Sequence, residues 1–330
     1  MRIGVVGAGR IGSMHATNLA SLAAVDEVLL FDSVAGRAVD VATRLGSGTK
    51  AVDDLEALLN ASDGVLLATP TNTHPAMLRR CLMGGVPVLC EKPISSSPAE
   101  MSALIADVEA SGIEVVVGFQ RRFDPATSEL QRRIRAGEVG SIYLIRANGL
   151  DAEIPPPGYL PGSGGIFRDL LIHDLDAVPW LAGEPVVEVY ASGSVLVDKV
   201  FAEADDVDNC AVMLRFASGA HGMLVGGRHN PRGYDCRIEV YGSKDSLVVG
   251  LDPRTPIESL EPAGPTPAPD AYPGFPQRFR RAYLNEVTVF TELVAGRATN
   301  PSPVRDSLVS LRLAEACETS RRSGAPVRME

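Results

Sequence analysis

Cysteine is scarce and unpatterned in this sequence. Its five cysteines (Cys81, Cys90, Cys210, Cys236 and Cys317) are odd in number and form no C-x-x-C. Neither a disulfide framework nor a zinc-ligand spacing is present, and thiols of this kind fit a reducing, cytoplasmic setting. Basic charge is also short: 31 Lys and Arg stand against 41 Asp and Glu, a net charge of −10. Such a chain is a poor partner for nucleic acid or an anionic membrane. No apolar run approaches the ~20 residues of a membrane-spanning helix, and no repeat period is visible. The first residues lead into a strand pattern at Ile3–Val6 rather than a secretory leader. What remains is a globular chain of 330 residues, 45% hydrophobic, long enough for two domains.

The apolar run Ile3–Val6 passes directly into Gly7-Ala8-Gly9-Arg10-Ile11-Gly12, and a helix pattern follows. This is G-x-G-x-x-G between a strand and a helix. Gly7 permits the tight turn, Gly9 lets a pyrophosphate reach the backbone, and Gly12 lets the helix pack against the strand. The helix N-terminus then offers N–H groups to an anion. A second strand, Val28–Phe31, ends in Asp32, 20 residues beyond Gly12. An acidic side chain there accepts hydrogen bonds from the adenosine ribose and repels a 2′-phosphate, so NAD is expected over NADP. Arg37 is close enough in sequence to offset part of that repulsion.

Strands and helices keep alternating to Gly118. The loop Thr69-Pro70-Thr71-Asn72-Thr73-His74 follows the strand Gly64–Ala68, at the strand end where ligands of doubly wound sheets bind. Thr69, Pro70, Asn72 and His74 are candidate cofactor contacts. Pro87–Cys90 is the next strand and runs into Glu91-Lys92-Pro93 at the same sheet edge. An ammonium at Lys92 can polarise a hydroxyl or carbonyl beside a nicotinamide. His15, early in the first helix, reads as a packing residue. After Gly118 comes Phe119-Gln120-Arg121-Arg122-Phe123-Asp124; its paired arginines can hold substrate or cofactor oxygens or form salt bridges.

The alternation then stops. Residues 1–122 are expected to form a dinucleotide-binding domain, and 123–330 an α+β domain on a large, mainly antiparallel open sheet. An irregular Pro/Gly segment runs from Glu153 to Gly165, and residues 252–276 read as a long surface loop. Two helices near Phe279–Ala295 and Arg305–Arg322 close the chain and offer only packing. Between the irregular segment and the strands lies Gly164-Gly165-Ile166-Phe167-Arg168-Asp169-Leu170-Leu171-Ile172-His173-Asp174-Leu175-Asp176. On one continuous helix Asp169 and His173 share a face, with Asp176 further along the stripe. A carboxylate beside an imidazole orients and tunes a general base. With Lys92, the pair describes alcohol oxidation without a metal: His173 takes the hydroxyl proton, Asp169 stabilises the imidazolium, and Lys92 eases the alkoxide charge.

These stretches also carry a family likeness. The glycine motif, Glu91-Lys92-Pro93, Gly118–Asp124, Ser163–Asp169 with Ile172-His173-Asp174, and Gly233–Lys244 resemble the Gfo/Idh/MocA oxidoreductases, and among them the inositol dehydrogenases. The resemblance covers the whole chain. It implies a Rossmann domain joined to an α+β domain, NAD as cofactor, and Lys92, Asp169 and His173 as the catalytic triad, with Gln120, Arg121 and Tyr234 beside the substrate. It implies a cis bond before Pro93, association through the open sheet, usually as a tetramer, and a cyclic polyol as substrate, myo-inositol first. Another sugar or inositol isomer, a non-catalytic NAD-sensing regulator and an NAD-using glycosidase are the alternatives on this scaffold. Arg232, Gln120 and residues Asn148–Asp151 depart from the inositol-type pattern, in the pocket rather than in the chemistry.

Overall fold

The computed structural model describes residues 1–264, 266 and 270–329. Residues 265 and 267–269 of the loop expected over 252–276 lie outside the described residues. The chain forms two compact units. The first comprises Met1–Phe123 with Arg281–Leu308, the second Asp124–Arg280 with Val309–Glu330. A single boundary at 122/123 does not express this, because the chain returns to the first unit near its end.

The first unit is built on six parallel strands: β1 (Arg2–Val6), β2 (Glu27–Phe31), β3 (Thr49–Ala51), β4 (Gly64–Leu67), β5 (Val88–Glu91) and β6 (Val115–Gly118). Their order is β3-β2-β1-β4-β5-β6, with Val5 opposite Leu30 on one side and Leu66 on the other. Ile3, Val5, Val28, Leu30, Val65, Leu66, Val88 and Val116 have no exposed surface. The runs are continuously apolar because helices cover both faces of a parallel sheet. The order reverses between β1 and β4, so the C-terminal ends of these strands flank the crevice where such sheets bind ligands.

The returning segment completes this core. The helix Arg280–Val294 places Val287, Phe290 and Leu293 in the cluster that holds Ile3, Leu66 and Val116. A side chain at Gly64 on β4 would meet Phe290 at 3.1 Å, so the glycine lets this helix lie close to the strand. Burying each such side chain contributes ~1.5–3 kcal/mol.

The second unit carries seven strands: β7 (Ile142–Leu150), β8 (Val186–Ser194), β9 (Asn209–Phe216), β10 (His221–Gly227), β11 (Asp235–Gly242), β12 (Ser246–Val249) and β13 (Val327–Arg328). Their order is β12-β11-β7-β10-β9-β8-β13. All pairs are antiparallel except β7 with β10, which is parallel, so the sheet is mixed. Its central strands β9 and β10 alternate along most of their length. Val212, Leu214 and Leu224 turn inward, whereas Met213, Met223 and Val225 are exposed with Tyr190, Tyr241 and Val248 on the neighbouring strands. One face is therefore core and the other carries apolar side chains in the open.

All five cysteines are free and buried. Among the described residues no helix is long and apolar enough to cross a membrane.

Candidate active site

In the first unit the expected cofactor residues gather at one sheet edge. Gly7 adopts φ +98°, and a Cβ there would come 2.5 Å from the Ala68 carbonyl oxygen. A Cβ at Gly12 would overlap the Gly7 carbonyl, whereas one at Gly9 would meet nothing within 4 Å. The turn is thus closed behind and open in front, where the helix Arg10–Ala20 begins without a side-chain cap. An open cradle at an uncapped helix N-terminus fits a pyrophosphate. Arg10 is exposed beside it and Ile11 half-buried.

Asp32 is tied into this loop. One carboxylate oxygen accepts the Ala8 N–H at 2.7 Å and the other the Val34 N–H at 2.8 Å. Arg37 pairs with it at 3.3 Å from a largely exposed position, where an ion pair is worth little. Thr69 accepts the Thr73 hydroxyl at 2.7 Å, Pro70 begins the turn, and Asn72 stays exposed. His74 is only 1% exposed. Its ring nitrogens face the carbonyl oxygens of Pro93 at 2.9 Å and Thr69 at 2.8 Å, so it joins the two loops to each other. Burial pushes its pKa below the usual histidine value, and the two carbonyls and Glu91 offset this only in part.

Lys92 follows β5, and the Lys92–Pro93 bond is cis, as the resemblance implies. The Glu91 side chain folds back on this turn. One oxygen accepts the Lys92 N–H at 3.3 Å and the other meets His15 Nε2 at 2.7 Å. His15 is therefore more than a packing residue. Gly118 on β6 makes room, since a Cβ there would press on the Glu91 carboxylate at 3.1 Å. Gln120 and Arg121 lie in the short turn after β6, each 2% exposed. Arg122 takes the structural alternative: it binds Asp306 at 2.6 Å and the Pro301 carbonyl at 3.1 Å.

In the second unit the helix expected through Asp169 and His173 is broken. One short helix is Ile166–Asp169 and the next Ile172–Ala182. The Leu171 N–H reaches back five residues to the Ile166 carbonyl, which widens the turn between them. Asp169 closes the first helix and His173 opens the second. Asp176 lies inward, 3% exposed, and accepts from Ser310 at 3.4 Å.

The partners of Asp169 come from elsewhere in the chain. Tyr159, in the Pro/Gly segment, donates its hydroxyl to one oxygen at 2.8 Å. Arg228, just after β10, lies 3.0 Å from the other and 3.5 Å from Asp151 at the end of β7. The parallel pairing of β7 with β10 puts Leu150 opposite Gly227, which brings Asp151 and Arg228 together. Asp206 caps the Ile166 N–H at 2.9 Å and adds its charge to the same group. The Arg228 side chain is 3% exposed. Burial opposes its charge, yet Asp169, Asp151 and Asp206 outweigh burial and raise its pKa. Tyr159 and Arg228 thereby fix the Asp169 carboxylate from both oxygens. Tyr234 is buried, with its ring edge-on to Phe279 at 6.3 Å. Sequence pattern does not mark Arg228, Tyr159 or Asp151. The available signals were a lone arginine at a strand end and an aspartate where the inositol-type pattern has no match.

Residues 1–119 match the oxidoreductase family with an NAD-binding Rossmann fold, and residues 127–248 match the GFO/IDH/MocA C-terminal domain. The chain is 34% identical to the inositol 2-dehydrogenase of Rhizobium meliloti (strain 1021), over 97% of this chain and 96% of that one. It is also 34% identical to the scyllo-inositol 2-dehydrogenase (NAD(+)) of Bacillus subtilis (strain 168), over 100% and 96%. The crystal structure of a myo-inositol dehydrogenase from Corynebacterium glutamicum ATCC 13032 superposes with a TM-score of 0.89 at 32% identity, covering 100% of this chain and 99% of that one. The chain belongs to the Gfo/Idh/MocA family of NAD-binding oxidoreductases.

Proposed function

We propose that the protein oxidises one secondary hydroxyl of a cyclic polyol, myo-inositol first, to the ketone. The observation that carries the reading is Asp169, held on one oxygen by Tyr159 and on the other by Arg228, one helix break before His173. A fixed carboxylate near an imidazole favours the imidazolium that forms when the ring accepts a proton. His173 removes the hydroxyl proton, and the Lys92 ammonium lowers the energy of the developing alkoxide. Bound NAD supplies the hydride acceptor. The glycine loop, Asp32, Arg37, Thr69, Pro70, Asn72 and Glu91 are assigned to holding it. His74 acts by packing between the Thr69 and Pro93 carbonyls and donating to one of them. Gln120, Arg121 and Tyr234 are assigned to the polyol. The inositol-dehydrogenase names of the relatives support the substrate class.

The test is NADH formation with a panel of inositols and sugars, run with NAD and with NADP. Turnover is expected with an inositol and NAD; absence of turnover on every polyol would sink the reading. The same panel checks Asp32. In Asp32→Ala the carboxylate no longer repels a 2′-phosphate, and NADP gains on NAD by about tenfold to a hundredfold. NAD binding weakens in that variant too, because the Ala8 N–H loses its acceptor. An unchanged NADP/NAD ratio would rule out Asp32 as the discriminating group.

The second unit is further assigned to self-association through the open face of its sheet. Tyr190, Met213 and Met223 form one row across β8, β9 and β10 and are 42%, 50% and 42% exposed. Contiguous apolar rows of this kind are covered in stable proteins. Met213→Arg, which places a charge at the centre of the row, is expected to lower the solution mass measured by light scattering. Equal masses for variant and wild type would move the interface elsewhere.

A further inference from the structure

Below the Lys92 turn lies a cluster that the reaction does not use. Glu286 is on the helix Arg280–Val294 and is fully buried, and both its carboxyl oxygens lack a hydrogen-bond donor. One ligand-type atom each from His15, Glu91 and Glu286 lies within 4.8 Å of the other two. Tyr283, one turn before Glu286, sets its ring edge against His15 at 5.7 Å. Three elements thus converge on the side chain that holds the Lys92 backbone: the glycine-loop helix, the turn after β5, and the returning helix.

A second ionised carboxylate is costly at Glu286, which is fully buried beside Glu91 and has no donor to either oxygen among the described residues. Removing each charge from water costs several kcal/mol, and like charges add repulsion. Burial and the neighbouring Glu91 charge push the Glu286 pKa well above the usual carboxylate range. The groups facing it are Glu91, His15 and Tyr283, with the Cys90 thiol behind Glu91 held neutral by burial. His15 Nε2 already bonds Glu91 at 2.7 Å, and its Nδ1 has no partner among the described residues. One proton on Glu286 then removes the excess charge and turns one of its oxygens into a donor.

We infer that Glu286 is a positioning residue for Lys92: as a neutral carboxylic acid it donates a hydrogen bond to Glu91 and, with His15, keeps the Glu91 side chain folded onto the Lys92 backbone. The functional half of this inference rests on the assignment of Lys92 above; the protonation does not. A carboxylic acid at this position is mimicked by glutamine and not by leucine.

The experiment uses the full chain with Glu286→Gln and Glu286→Leu. Infrared spectra at neutral pH should show a protonated carboxyl band in the wild type that shifts in D₂O and is missing from Glu286→Gln. A carboxyl whose pKa is raised by folding stabilises fully below its unfolded value, ~4.3, and loses that contribution as pH rises towards the folded value. Glu286→Gln should therefore gain on the wild type by up to about tenfold in the folding equilibrium per pH unit above that point. Glu286→Leu should lower kcat by about tenfold or more through misplacement of Lys92, with the Kd for NAD little changed, and Glu286→Gln should restore most of the loss. Absence of the infrared band, a pH-independent stability difference, or stoichiometric metal in the purified protein would overturn the inference. If Lys92→Ala is inactive while Glu286→Leu matches the wild type, the positioning role fails alone. If Lys92→Ala keeps full turnover, the Lys92 assignment fails, and the infrared and stability results still decide the protonation.

Discussion

His173→Ala is expected to lower kcat/KM for the polyol by ~10²–10⁴, the usual contribution of a general base, while NAD binding stays within about twofold. The separation follows from where the groups lie. The groups assigned to the cofactor, the glycine loop, Asp32 and the Thr69 loop, are held by the first unit's own sheet and hydrogen bonds. His173 belongs to the second unit. Its loss should therefore fall on kcat, the pattern of an interaction made in the transition state rather than in the ground state. Added imidazole should recover part of the rate, because it supplies a base of similar strength without the positioning. Lys92→Ala should give a loss of similar order, since it removes charge stabilisation and leaves the β5 strand intact. Turnover near the wild-type rate in His173→Ala would remove the histidine from the mechanism, and the base would have to be sought elsewhere.

Arg228→Met carries the second largest effect, and it reaches both stability and rate. The methionine fills similar volume but leaves Asp169 and Asp151 without their cation in a site where Arg228 is 3% exposed. Removing one partner of a buried ion pair costs ~3–5 kcal/mol, because the remaining charge stays desolvated. Part of that cost should be returned in Arg228→Met with Asp169→Asn, where one of the charges that faced Arg228 is also removed. A double-mutant cycle on chemical denaturation should report a coupling of ~0.5–3 kcal/mol. Activity should fall in Arg228→Met as well, since Asp169 would lose its fixed orientation and part of its reason to stay ionised. A stability change under about 0.5 kcal/mol, the range of ordinary surface substitutions, would show that the ion pair contributes nothing to either.

Some of this was legible from residue order alone. The glycine turn, Asp32 and Lys92 stand at fixed distances from strands whose apolar runs announce themselves. A parallel sheet then forces all the strand ends to one edge. Asp169 and His173 were legible as a pair because they are near neighbours in the chain, although the helix between them is broken. Arg122 and His15 were ambiguous for the opposite reason: their partners, Asp306 and Glu91, are remote. The helix Arg280–Val294 read as packing alone, because the apolar stripe of Ala282, Val287 and Phe290 hides an ionisable residue, Glu286.

The order of residues by itself determined the class of the protein: a dinucleotide-binding fold, an imidazole four residues from a carboxylate, and an ammonium at the end of β5. Those features depend on local geometry and on strand periodicity, which the chain carries at every position. Tertiary structure alone decided what holds them. The parallel β7–β10 pairing delivers Arg228 and Asp151 to Asp169, and the returning helix places Glu286 under Glu91. Both are contacts between segments distant in sequence, in places closed to water, where an unpaired charge is costly and its partner must come from wherever the fold supplies one.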